Sequence, residues 1–231
     1  MIKTLNWDSN FFNFSVGIIK TDGNNVDFKN IKKNASDFKL IYIFSEKPLN
    51  FKELVLVDIK VVFCKKINYM ESLLKNEKIV ITDYDKDLHN YEKLLQLAYL
   101  SGEYSRFKID DNFPRSAFNS LYKKWLDNSL NNKIADKVYI TTPTSSIIPN
   151  GFISFKVIAK TCIIGLISVD INTQKSGIGK TLINKVEEYC FINKIENIEV
   201  ATQMANFGAN KFYKKCNFKI KSKTYIYHLW Q

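Results

Sequence analysis

Between residues 89 and 130 the apolar positions recur at helical intervals. HNYEKLLQLAYL (89–100) repeats them every three or four residues. SAFNSLYKKWLDNSL (116–130) sets Phe118, Leu121, Trp125 and Leu126 on one face, so both stretches predict amphipathic helices. Past residue 137 the pattern changes. KVYITTP, GFISFKVIAK and TCIIGLISVDI are apolar runs of strand length, and the Asn150-Gly151 pair with short polar breaks predicts antiparallel hairpins between them. TLINKVEEYCFINK (181–194) returns to helical spacing, with Leu182, Val186, Tyr189 and Cys190 inward. IENIEVATQ (195–203) predicts a strand, ANFGANKFYKKC a short helix, and FKIKSKTYIYHLW two terminal strands.

The earlier part of the chain is less regular. KLIYIF (39–44) and LVLVDIKVVF (54–63) read as short strands among Asn-, Lys- and Asp-rich turns, and KIVITDYD (78–85) as a strand ending in turn residues. The pattern divides into a smaller N-terminal α/β domain over 1–75 and a larger domain over 76–231. A central sheet with helices inserted at intervals makes the class α/β or α+β.

Composition changes this picture little. At 231 residues, 45% hydrophobic and 25% charged, the chain has the make-up of an ordinary globular protein. The longest apolar runs, such as CIIGLISV, fall short of the roughly 18 residues a membrane span needs. MIKTLNWDSN has no apolar stretch before Asp8, so a cytoplasmic protein without a membrane partner is expected. Cys64, Cys162, Cys190 and Cys216 lack CxxC spacing and sit in apolar patterns, which predicts buried thiols and no metal. The net charge of +11 favours an anionic partner. The lysines are nevertheless interleaved with acidic residues and form no basic-aromatic array, so no nucleic-acid partner is expected.

Arginine is distributed differently. Of the 34 Lys plus Arg, only Arg106 and Arg115 are arginine, and both lie in SGEYSRFKIDDNFPRS (101–116). A Lys-, Asn- and Ile-rich composition of the kind an AT-rich genome writes leaves such pairs by accident. A guanidinium also supplies a planar fork for carboxylate or phosphate that a lysine cannot. The pattern alone admits both.

The stretch VDINTQKSGIGKTL (169–182) carries a strand through a Gly-bearing loop into a helix, an arrangement that presents unpaired N–H groups to an anion. Gly177 and Gly179 let the backbone approach without a Cβ in the way. Gly179-Lys180-Thr181 matches the end of a P-loop, GxxxxGK[ST], but Gln174 stands where the opening glycine belongs. Too little chain follows for the usual series of parallel βα units.

Gln174, Gly177 and Gly179 also fit Gln/Arg-x-x-Gly-x-Gly/Ala. After the next strand, NFGANKFYKKCNF places Asn206, Ala209, Phe212, Tyr213 and Phe218 in register with Asn-x-x-Ala-x-x-Leu-Tyr-x-x-x-Gly-Phe. Phe212 replaces the leucine, and Asn217 replaces the glycine at a position where Asn is the next-best left-handed cap. In these two signatures, over about residues 76–231, the chain resembles the GCN5-related N-acetyltransferase superfamily. The resemblance implies a mixed, mostly antiparallel sheet flanked by helices, and acetyl-CoA as co-substrate. Residues Gln174, Lys175, Ser176, Gly177, Ile178, Gly179 and Lys180 would cradle its pyrophosphate. Backbone groups of Ile167 and Val169 would bond the pantetheine arm, slotted where strands splay, and an N–H near Val169 would serve as an oxyanion hole. Phe212 and Asn206 fall on the cofactor side, although Asn206 reads equally as a helix cap. The resemblance places Tyr213 as the general acid that protonates the departing thiolate. Its other reading is a packing aromatic. Glu103, Asp110, Asp111 and His89 are candidate bases without a partner visible in sequence, and loss of the amine proton to a water chain is the alternative.

LNWDSNFF, YSRFKIDDNF and LYKKWLDNSL are similar to segments of dTDP-fucosamine N-acetyltransferases. That likeness implies an acceptor dTDP-linked 4-amino-4,6-dideoxy sugar, used for surface glycans and bound near the domain junction, and a homodimer. Arg106, inside the SRF match, would fork onto the diphosphate, and Tyr104 or Phe107 would stack on base or sugar. An Arg106–Asp110 ion pair is the alternative use of that arginine. A peptide acetyltransferase or a non-catalytic CoA-binding protein would use the same CoA half.

Overall fold

The computed structural model of the protein describes residues 2–67, 79–144 and 146–231. Its first half forms β1 (Lys3–Thr4), α1 (Asn6–Phe12), β2 (Val16–Thr21), α2 (Phe28–Lys33), β3 (Leu40–Ser45) and β4 (Val55–Lys66). Then come β5 (Val80–Asp83), α3 (Tyr91–Ser101), α4 (Arg106–Ile109), α5 (Arg115–Leu130), β6 (Lys137–Thr142), β7 (Gly151–Ile158) and β8 (Thr161–Val169). The chain continues through a 3-10 turn (Ile171–Thr173), α6 (Ile178–Ile192), β9 (Asn197–Gln203), α7 (Phe207–Lys215) and β10 (Lys219–Trp230). The periodicity located α3, α5, α6, α7 and the strands after residue 137. It passed over β1, β2 and the three short helices α1, α2 and α4.

All these strands form one ten-stranded sheet in the order β1-β2-β3-β10-β4-β9-β8-β7-β6-β5. The pairs β2–β3 and β8–β9 are parallel and the rest antiparallel. β4, from the first half, is hydrogen-bonded between β10 and β9. The expected boundary near residue 75 lies outside the described residues. Strands on either side of it share the sheet.

FKIKSKTYIYHLW forms a single strand, β10, rather than two. Its polar Lys-Ser-Lys centre holds no Gly, Pro, Asn or Asp to close a turn. The register against β4 shifts between Ile220 and Ser222 and again between Ile226 and Tyr227, so bulges bend the long strand without ending it.

The two faces of the sheet are covered differently. Leu182, Ile183, Val186 and Cys190 of α6 pack with Tyr213 of α7 against Val61, Phe63, Ile153, Phe155, Ile164 and Val200. On the other face Leu94 and Leu97 of α3 and Phe118 and Leu126 of α5 meet Val138, Ile140, Phe152 and Leu166. Each such side chain, fully buried, contributes about 1.5–3 kcal/mol by leaving water. Tyr42, Phe107, Phe113 and Leu121 form a further cluster joining β3 to α4 and α5. No helix among the described residues is long and apolar enough to cross a membrane.

Candidate active site

The site begins where two strands part. β8 and β9 pair only from Thr161/Asn197 to Ile164/Val200, and past that point they separate. The cause is visible on the opposite edge of β8. Ser154 of β7 pairs with Leu166 and Phe155 with Ile164, so Gly165 is an extra residue, a bulge that bends β8 away from β9. The Leu166 N–H donates to Ser154 Oγ at 3.0 Å, satisfying the backbone at the bulge. Between the splayed strands opens a cleft of about 1200 Å³.

One end of this cleft is the loop that follows β8. Asp170 caps the 3-10 turn, its Oδ1 accepting from the Asn172 N–H at 2.9 Å, and it pairs with Lys93 of α3. Gln174 Nε2 donates to the Val169 carbonyl at 3.3 Å. Lys175 (φ 64°) and Gly177 (φ 94°) adopt left-handed backbone, which turns the chain sharply into α6. No side chain caps α6, so the first amides of this 15-residue helix point outward without internal acceptors at its positive end. Such an end fits a pyrophosphate. A Cβ on Gly179 would lie 3.2 Å from the Phe212 ring and 3.7 Å from Val169, so that glycine chiefly allows α6 to close on α7.

The end of α7 fixes Tyr213. The Phe218 N–H bonds the Tyr213 carbonyl (3.0 Å) and the Asn217 N–H that of Lys214 (3.1 Å), with Asn217 left-handed at φ 66°. This is a Schellman cap, and its hydrophobic contact is the Tyr213–Phe218 ring pair at 5.8 Å. Tyr213 is 3% exposed yet lines the cleft, and burial pushes its phenol well above the ordinary tyrosine range. It therefore keeps its proton at any physiological pH. Asn206 Oδ1 caps α7 by accepting from the Ala209 N–H at 3.0 Å, as the helix-cap reading expects, and the residue also lines the cleft.

The other end of the cleft is built on α4. Ser105 caps it, and Tyr104, Arg106 and Phe107 all border the same cavity as Tyr213 and the Gln174–Lys180 loop. Arg106 Cζ lies 4.5 Å from the Tyr42 ring centre, 4.6 Å from that of Phe107 and 5.4 Å from that of Phe44. Its Nε is buried without a partner. The alternative Arg106–Asp110 ion pair is not among those the described residues form. Asp110 instead faces His228 Nδ1 at 2.5 Å and accepts from Trp230 Nε1 at 2.8 Å and from the Asn112 N–H at 3.0 Å. Burial raises that carboxyl, but the hydrogen bonds outweigh it and hold Asp110 below the usual carboxylate range.

Of the residues singled out in the sequence, Ile167, Val169, Gln174, Lys175, Gly177, Ile178, Gly179, Lys180, Asn206, Phe212 and Tyr213 line one cleft with Tyr104, Arg106 and Phe107. Ser176 does not. It is exposed, and its hydroxyl donates to the Thr173 carbonyl at 2.5 Å. Arg115 borders a separate cavity of about 830 Å³ with Asp110 and Asp111, so the two arginines serve different surfaces. Among the candidate bases, His89 is held at the Asp85 backbone and Glu103, although it reaches the cleft, is paired with Lys108 at 2.6 Å. A residue that sequence reasoning passed over, Asp58 of β4, also lines the cleft. The available signal was a carboxylate interrupting the apolar run LVLVDIKVVF. Burial pushes it up to about 6, against the opposing pull of Arg106 and Lys60.

Comparison with known proteins agrees with this geometry. Residues 144–218 match the model of the Acetyltransferase (GNAT) family. The spore coat polysaccharide biosynthesis protein SpsD of Bacillus subtilis (strain 168) is 25% identical over 139 residues, covering 60% of this chain and 47% of SpsD. The match thus spans about half the length of that curated relative. A functionally unknown conserved protein from Staphylococcus epidermidis ATCC 12228 superposes with a TM-score of 0.64 at 12% identity, over 94% of this chain and 85% of its own. The GCN5-related N-acetyltransferase from Sphaerobacter thermophilus does so at 0.62 and 11%, over 98% and 75%. These two share the fold. The family match lies on the splayed strands and the uncapped helix, so residues 144–218 are similar to the GNAT-family acetyltransferases in the part of the chain that builds the cleft.

Proposed function

We propose that the protein transfers the acetyl group of acetyl-CoA to the 4-amino group of a dTDP-linked 4-amino-4,6-dideoxy sugar, in the cytoplasm and for surface-glycan synthesis. The observation that carries this reading is the continuity of a single cleft from the α6 loop, past Tyr213, to Arg106. A donor held at one end and an anionic acceptor held at the other would meet where β8 and β9 part. The likeness to a polysaccharide biosynthesis protein supports a sugar as acceptor.

In this reading the amides from Gln174 to Lys180 hold the CoA pyrophosphate, and the β8 backbone at Ile167 and Val169 holds the pantetheine arm. Arg106 forks onto the acceptor diphosphate, and its aromatic walls limit the directions in which it can point. Tyr104, 39% exposed at the cleft, offers a ring for the nucleotide base or sugar face. Tyr213 gives its phenolic proton to the thiolate. Residues 1–75 contribute to the acceptor site through β3 and β4, and two copies form a dimer.

The test is thiol release from acetyl-CoA against a panel of dTDP-4-amino-4,6-dideoxy sugars, lysine peptides and a polyamine. Release with a dTDP-amino sugar alone is expected. Release with peptides only would overturn the acceptor assignment and leave the donor site. No release and no acetyl-CoA binding by titration would overturn the whole reading.

A further inference from the structure

Attack by an amine on a thioester needs a destination for the nitrogen's proton, and none of the residues placed above supplies one. Glu103 is paired with Lys108, Asp110 is locked to His228 and Trp230, Asp111 borders the separate cavity beside Arg115, and His89 lies away from the cleft. Asp58 differs from all four. It borders the same cleft as Tyr213 and Arg106, and among the described residues its carboxylate makes no ion pair.

The strand itself aims it there. Asp58 pairs with Ile226 and Leu56 with Tyr227, which leaves Val57 unmatched, a bulge immediately before Asp58. Bulges re-aim the side chains beside them. On the other edge of β4, pairing with β9 stops at Lys60–Gln203, so the carboxylate lies past the last rung, where β9 has ended.

We propose that Asp58 is the base that accepts the proton of the acceptor's amino nitrogen. This rests on the acetyl-transfer reading of the cleft but not on which amine is the acceptor. The amine enters neutral, and its lone pair forms the N–C bond to the acetyl carbonyl while Asp58 takes one N–H proton. The C–S bond then breaks with its electron pair going to sulfur, and the thiolate takes the phenolic proton of Tyr213. Proton exchange through water between protonated Asp58 and the Tyr213 phenolate restores both groups, leaving amide and free thiol.

A base in this position must be ionised, and burial holds Asp58 near 6, so it works above that pH and fails below it. The charged and titratable groups facing it are Arg106 from α4, Lys60 on its own strand and Tyr122 from α5. Arg106 keeps its charge as a guanidinium does, burial pushes Tyr122 up so that it stays neutral, and burial lowers Lys60 against the pull of Asp58.

The experiment compares wild type, Asp58→Asn and Asp58→Glu as full chains, measuring kcat and KM across pH together with acetyl-CoA Kd by titration. The acceptor is whichever panel amine wild type turns over. Asp58→Asn is expected to lower kcat by about 100-fold or more and to flatten the acid limb, with acetyl-CoA Kd unchanged. Asp58→Glu should recover part of the rate together with the limb. An Asp58→Asn enzyme with kcat within about 3-fold of wild type would overturn the proposal, as would one whose only defect is a raised acceptor KM, since Asp58 would then merely accompany Arg106. Wild-type turnover judges the acceptor reading and the variant ratio judges Asp58, so the two fail separately. A wild type that acetylates no amine overturns both.

Discussion

Asp110 and His228, 118 residues apart in sequence, meet with His228 Nδ1 2.5 Å from the Asp110 carboxylate. The contact ties the end of β10 to the turn between α4 and α5, behind Tyr42, whose ring centre lies 5.0 Å from that of His228. Burial pushes His228 below its ordinary value despite the neighbouring carboxylate, so the pair is a neutral imidazole donating to an anion. Asp110→Asn should destabilise the fold by about 2 kcal/mol at neutral pH, as expected when the charged acceptor of buried hydrogen bonds is removed. Both groups have folded pKa values below their unfolded ones, so both lose stability as pH falls. The loss starts near 6.5 for His228 and near 3.8 for Asp110. Thermal unfolding against pH should therefore show the wild-type advantage shrinking toward acid.

Tyr213→Phe removes one oxygen and leaves the packing against Phe63, Phe212 and Phe218. A drop in kcat of about 100-fold is expected with acetyl-CoA affinity kept. Because burial raises the phenol, the wild-type rate should show no alkaline limb from this group near its ordinary value of 10.

Gly177→Ala places a Cβ on a residue at φ 94°, at a cost of about 1–2 kcal/mol. The loop that orients the α6 amides would yield before the helix does. Acetyl-CoA Kd should rise about 10-fold, which isothermal titration measures directly.

Arg106→Lys keeps the charge and loses the fork and its contact with the Tyr42 and Phe107 rings. The acceptor KM should rise by about 10-fold or more while acetyl-CoA Kd stays put. An unchanged acceptor KM would remove Arg106 from the acceptor site.

The fold-stability cost of Asp58 has the opposite sign to that of Asp110. Its folded pKa of about 6 lies above the ordinary 3.8, so ionisation is resisted by the fold and stability is lost as pH rises through that window. Asp58→Asn should raise the melting temperature at neutral pH, with the gap closing near pH 4, a trade of stability for reactivity seen at functional sites.

The second half of the chain was legible because its chemistry is local. The Gly-bearing turn, the helix start and the Asn206–Phe218 cap are each written within a dozen or so consecutive residues, and the structure brings their side chains to one cleft. The Arg106 end of the cleft was legible as an oddity of composition, two arginines in a lysine-rich chain, and as the short SRF match. That Arg106 faces the cleft while Arg115 does not depends on α4 packing against β4, a long-range contact with no local signature. Asp58 was hidden for the same reason: its exposure is decided by where β9 ends. The single strand β10 was misread because a polar centre resembles a turn when its partners on both sides are distant in sequence.

β10 lies between β3 and β4, so the strands that border it are made long before it is. During synthesis, β3 and β4 leave the ribosome with matching edges and no strand to fill the slot between them. Such edges are templates for pairing with other chains. The aromatic wall around Arg106 includes Tyr42 and Phe44 of β3, whose neighbour β10 arrives last, so that end of the cleft takes shape late. A nascent chain stalled before residue 219 would carry a complete Gln174–Lys180 loop and an unfinished wall around Arg106.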